Sequence, residues 1–260
     1  MVCLAVLGGV GLLKYLERDD PLLGEDVVVA APDLGLDIPN IDPSDLPDID
    51  LPHIDSYDDG EGYEFIARNL DGSPVRYDPC AVIPYVVHVG GGPANGVELV
   101  RQAVRKVHQA TGLDFRYEGE SDRVPNYFSL QLLGDDLVRV DGQAVVWIGW
   151  TDVAATDLLP DDHHVAGVGG SLFEDGPRVI NRGEYSTGQV VLDEDSGATP
   201  GFGPGFSEGN LLLHELGHLV GLAHVDDPSQ IMDPGSSDQG AGYQDGDSEG
   251  LRRLGEGGCL

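Results

Sequence analysis

Apolar positions recur every three to four residues along one long stretch of the chain, the period of a helix lying on a core. Val97, Val100, Val104 and Val107 share a face there, while Arg101, Arg105 and Lys106 point largely away from it. Gly96–Thr111 is therefore predicted to be an amphipathic helix, ended by Gly112. On either side the pattern changes to that of strands. Ala81–Val89 and Leu113–Glu118 are rich in branched and aromatic residues, and Tyr127–Leu133, Ala144–Trp150 and Gly188–Asp193 read the same way. Pro84 restricts pairing within the first of these. Asp152–Arg182 carries neither period and reads as irregular. Further on, Ser207 is a suitable cap for a helix running to about Val220, and Leu212, Leu216, Leu219 and Val220 share one arc of it. Asp247 or Ser248 can cap a last short helix through Leu254, closed by Gly255. A strand, a long helix and then further strands predict an α/β (α+β) sheet with helices packed on it.

The two ends of the chain differ in composition. Val2–Leu13 is apolar or glycine throughout and stops at Lys14. That run fits a signal-peptide core better than a membrane span, which needs about 20 residues. Residues 1–18 are accordingly expected to be a cleaved signal or an N-terminal membrane anchor. This places the protein outside the cell or on the outer face of its membrane. Residues 17–61 then hold fifteen acids against one basic residue, Arg18, with prolines at short intervals. Proline removes amide donors and neighbouring carboxylates repel, so residues 19–61 read as an extended linker or a pro-segment. His53 is the one imidazole there that a pro-segment could offer to a metal. The folded domain is expected over residues 62–260. A net charge of −32 argues against nucleic acid as a partner, because phosphates would be repelled.

Three cysteines are present, Cys3, Cys80 and Cys259, and none has the C-x-x-C spacing of a metal or redox motif. Cys3 lies in the apolar run. Cys80 and Cys259 stand near the two ends of the expected domain, either as a disulfide staple or as two free thiols.

The chemistry concentrates in one stretch, His214-Glu215-Leu216-Gly217-His218-Leu219-Val220-Gly221-Leu222-Ala223-His224. His214 and His218, four apart, project from one helical face and can hold one metal ion. Glu215 lies about 100° round the helix from His214, beside the ion and not on it. Gly221 supplies the turn that lets His224 swing back as a third ligand. Three imidazoles and one open position make a catalytic zinc arrangement. Two other clusters carry less weight. Asp161, Asp162, His163 and His164 read as a polar loop, since adjacent histidines seldom face the same way. Asp193, Glu194 and Asp195 offer oxygens that would suit calcium.

The H-E-x-x-H-x-x-G-x-x-H motif, followed by Ile231-Met232-Asp233-Pro234, resembles the metzincin metalloproteases. The short interval from His224 to Met232 is similar to the matrixin branch, including small bacterial matrixin-like peptidases. Thr111–Tyr117 and Gly188–Asp193 resemble that family's first helix end and the strand before its active-site helix. The resemblance implies a twisted, mostly parallel five-stranded sheet with one antiparallel edge strand and three helices. It further implies one catalytic zinc held by His214, His218 and His224, with Met232 beneath it as a floor and not a ligand. Glu215 would be the general base of a monomeric endopeptidase acting on protein or peptide substrates. The family's P-R-C-G switch is absent, and Val190 and Val191 stand where its structural zinc has a histidine. The competing expectation is an inactive zinc-binding protein that works through its acidic N-terminal region as an interaction module.

Overall fold

The computed structural model describes residues 2–5, 62–69, 71–124, 139–140, 143–156, 158–159, 165–173, 184–235 and 239–260. The acidic stretch 19–61, the expected strand 127–133 and the Asp161–His164 cluster lie outside the described residues.

Chain order gives β1 (Val2–Ala5), β2 (Val82–His88), α1 (Gly96–Thr111), β3 (Asp114–Ser121), β4 (Arg139–Val140), β5 (Gln143–Ala144) and β6 (Val146–Thr151). Then follow β7 (Val165–Phe173), β8 (Tyr185–Asp193), α2 (Glu208–Val220) and α3 (Asp245–Gly255). The main sheet runs β1-β7-β8-β6-β2-β3, and β4 pairs with β5 in a separate small ladder. Strands β3, β2, β6 and β8 pair in parallel, and β7 runs antiparallel to β8. The mixed α/β fold, with a mostly parallel five-stranded sheet and three helices, is thus as expected. A sixth strand is added, because Val2–Ala5 pairs in parallel with the outer edge of β7, Leu4 against Val168 and Ala5 against Gly169. That segment was expected to be signal or anchor.

Alternation along the strands sorts the core. Ile83, Tyr85 and Val87 of β2, Val146, Ile148 and Trp150 of β6, and Val190 and Leu192 of β8 face one side. There they share a single apolar cluster with Leu99, Val100, Ala103, Val104 and Val107 of α1, with α2, and with Leu251 and Leu254 of α3. Val86 and Trp147 face the other side, where Val168 and Val191 pack with Val153, Leu158 and Leu159. Helix α1 ends as its sequence requires, at Gly112 with φ 77°, the left-handed conformation that an L side chain resists.

Two expectations are corrected. Residues 165–173 form strand β7 within the stretch read as irregular. Its Gly167, Gly169 and Gly170 have low strand propensity, and tertiary packing overrides that preference. Helix α3 starts earlier than either proposed cap: Gln244 is the cap and Asp247 the third helical residue, in a reciprocal capping box. Cys80 and Cys259 are joined as a disulfide with Cα atoms 5.2 Å apart, which ties the C-terminus to the loop before β2. Asp78 reinforces the tie, its Oδ1 accepting from the backbone N–H of Leu260 at 3.2 Å.

Candidate metal centre

Helix α2 carries the centre. Ser207 caps it, its hydroxyl oxygen accepting from the Asn210 N–H at 3.2 Å. From Gly209 to Val220 every residue is buried, so α2 is a core helix without a wet face. It ends at Gly221, whose φ of 122° favours glycine and whose N–H donates to the Gly217 and His218 carbonyls. The chain after it is then captured by a neighbour. Phe65 bridges Leu222 in antiparallel fashion, Ile66 N–H donates to Gly221 O, and Ala223 N–H donates to Glu64 O. This short pairing carries His224 back toward the helix.

As a result the three Nε2 atoms converge. His214 and His218 are 3.0 Å apart, His218 and His224 3.1 Å, and His214 and His224 3.2 Å. A tetrahedral zinc with bonds of about 2.0–2.1 Å needs its ligand nitrogens roughly 3.3 Å apart, close to these edges. The far side of each helical imidazole supports that reading. His214 Nδ1 lies 2.6 Å from Ile231 O, and His218 Nδ1 lies 2.8 Å from Leu222 O. Carbonyls only accept, so these bonds assign the proton to Nδ1 in both rings. The Nε2 lone pairs then face one another in a buried space, an arrangement that a cation resolves. Protonation is disfavoured there as well. Burial lowers His214 to about 4 and His224 to about 3, and it lowers His218 well below its ordinary value with help from the two neighbouring rings. The set is neutral near pH 7, the form in which imidazole binds metal.

Glu215 is fully buried beside the triad, and its Oε1 lies against Gly167 of β7: a Cβ built there would sit 2.9 Å away. Met232 is buried under α2, and a Cβ on Gly217 would come within 2.4 Å of its Sδ. Gly217 thus leaves room for the methionine one residue before His218. In the acidic corner, Asp193 is buried with Oδ1 accepting from the Asp195 N–H at 3.0 Å, while Glu194 and Asp195 are exposed.

Residues to which the sequence gives no part in the site complete the setting. A Cβ on Gly169 would lie 2.1 Å from the Glu215 backbone oxygen, so β7 and α2 touch backbone to backbone. Ser171, next on that face, donates to Leu219 O at 2.7 Å. Asp247 accepts from the Ile231 and Met232 N–H groups at 2.7 and 3.1 Å, and Gln239 donates to Ile231 O at 3.1 Å. The clue available for the glycines was their spacing of two on a strand; for Asp247 and Gln239 nothing in the local pattern points to Met232.

Comparison with known proteins agrees with this geometry. Residues 138–254 match the family model described as matrixin. A segment of 58 residues is 38% identical to matrix metallopeptidase-21 of Danio rerio, covering 22% of this chain and 10% of that protein. The chain therefore spans about a tenth of the length of the curated relative it matches. A matrixin domain points to a metallopeptidase in general, and the histidine triad fits the zinc that such enzymes use. Over residues 138–254, a stretch that includes the whole triad and Met232, this chain is matrixin-like.

Proposed function

We infer that the protein is a zinc-dependent endopeptidase. The observation that carries this reading is the triangle of Nε2 atoms, 3.0–3.2 Å on each side, with a buried glutamate on the same helix next to His214. Zinc held by His214, His218 and His224 would supply Lewis acidity toward a peptide carbonyl and acidify a water. Glu215 would take the proton from the attacking water and pass it to the leaving amine. Glu215 is fully buried on the same helix, one residue after His214, which sets its carboxylate beside the triad.

A peptide substrate would bind extended, adding its backbone to a sheet edge. Strand β7 lies beside Glu215, and its outer edge already takes up an extended segment, Val2–Ala5. Secretion fits a matrixin-like domain and the Cys80–Cys259 disulfide, which persists in oxidising surroundings. Among the described residues no helix is long and apolar enough to cross a membrane.

Glu215→Gln is the direct test. The variant should bind zinc as the parent does, and cleavage of a quenched peptide should fall by about 10²–10⁴-fold. Unchanged turnover would remove Glu215 from the mechanism, and loss of zinc along with activity would show that it serves structure instead.

A further inference from the structure

The two helix-borne imidazoles end on different kinds of carbonyl. His218 Nδ1–H donates to Leu222 O, four residues on and just past the end of its own helix. His214 Nδ1–H donates to Ile231 O, seventeen residues away. That carbonyl belongs to the peptide group joining Ile231 to Met232, and the N–H of the same group, on Met232, donates to Asp247 Oδ1 at 3.1 Å. One planar peptide unit therefore stands between a buried carboxylate and the far side of a metal-binding imidazole.

We propose that Asp247 is a positioning residue for the metal, acting on His214 through the Ile231–Met232 peptide group, with Gln239 as a modulator of the same carbonyl. This inference rests on the reading of the histidine triad as a zinc site. Carboxylates that accept from the outer N–H of a ligating histidine orient the ring and raise its basicity. Here a peptide group is interposed. Hydrogen bonds in series polarise one another in a low-dielectric interior, so negative charge at the N–H end makes the carbonyl end a better acceptor. Both ends are buried, with Asp247 1% and His214 3% exposed, so water does not screen the relay.

The remaining bonds show that Asp247 is held for this task. Its Oδ2 accepts from Ile231 N–H at 2.7 Å and from Gln244 N–H at 3.0 Å. Its own N–H donates to Gln230 Oε1 at 3.0 Å. The carboxylate thus grips two consecutive peptides of the Met232 turn while fixed in the first turn of α3. Gln239 Nε2 donates to Ile231 O at 3.1 Å and to Asp233 O at 3.0 Å, sharing the acceptor that His214 uses. Asp247 strengthens that acceptor, and Gln239 draws on it.

The test uses the full chain, Zn²⁺ as the probe, and His218 as an internal control. Zinc affinity is measured by chelator competition, and the Nδ1–H resonances of His214 and His218 are recorded by NMR with and without metal. Asp247→Asn should weaken zinc binding by about 10–100-fold. It should move the His214 Nδ1–H resonance upfield and leave that of His218 in place. Gln239→Met removes both donations with little change in volume, and it decides the matter if Asp247→Asn does not fold. It should move the His214 resonance in the opposite direction, with His218 again fixed. The relay is overturned if the two resonances move together, if neither moves, or if Asp247→Asn binds zinc as the parent does. If the unaltered protein binds no zinc, the metal site itself fails. The metal-free spectra still separate that outcome from failure of the relay.

Discussion

Helices α1 and α2 lie on the same face of the same sheet, yet they are held there in opposite ways. Helix α1 stands on its side chains: Leu99, Val100, Ala103, Val104 and Val107 fill one face, and the other carries Arg101 and Arg105 in exposed pairs with Glu98. Helix α2 has no outer face and approaches β7 so closely that the Glu215 backbone meets Gly169. A helix that stands on side chains adjusts to a neighbour by a change of rotamer. One that rests on backbone has only rigid atoms at the contact, so its height above the sheet is fixed. His214 and His218, two of the three histidines that could hold a metal, sit on the helix with the fixed height.

Three experiments press on that difference, and the largest effect is expected at the glycine contact. Gly169→Ala places a Cβ where the Glu215 oxygen is 2.1 Å away, and neither partner is the end of a flexible side chain. Forcing extra volume into such a contact costs about 3 kcal/mol or more. Urea denaturation should show a loss of that size, and zinc binding should weaken along with it, because His214 and His218 move with the helix. A drop in stability with zinc affinity preserved would mean that the sheet gives way instead, and that the height of α2 is not what positions the ligands.

Metal is the second lever. Zinc at about one hundred times its dissociation constant should stabilise the folded chain by about 2.7 kcal/mol, since it binds the native state and not the unfolded one. A thermal melt with and without a chelator reads this directly. His218→Ala should abolish the zinc-dependent gain, whereas Arg105→Ala, on the exposed face of α1, should keep it whole.

The same contrast explains what the sequence made legible. Helix α1 was readable because an amphipathic helix writes its period into the chain, and Gly112 closes it in a conformation that glycine alone adopts freely. The triad was readable because the four-residue spacing and Gly221 dictate which imidazoles can meet. Strand β7 was not. Gly167 and Gly169 are selected by what touches them and not by strand propensity, so a partner distant in sequence holds the information. The contacts of Asp247 and Gln239 with the Met232 turn were not legible for the same reason: only the folded chain brings these residues together. Tyr63–Ile66 likewise shows no motif, although its pairing with the chain after Gly221 brings His224 home.

The smallest expected effect lies at the two helix starts. Ser207 caps α2 with its own side chain, accepting from Asn210 N–H at 3.2 Å and donating to Gly203 O at 2.9 Å. Asn95 occupies the same position before α1, and its side chain makes no capping bond. Ser207→Ala should therefore cost about 1–2 kcal/mol, within the range of a satisfied cap. Asn95→Ala should leave the urea midpoint almost unchanged, because it removes no such bond. Ser207 is also fully buried, so its loss leaves the Asn210 amide and the Gly203 carbonyl without their partner, which pushes the cost toward the upper end of the capping range. Equal costs at the two positions would show that α1 depends on its first turn as much as α2 does. The difference between the helices would then be confined to the glycine contact with β7.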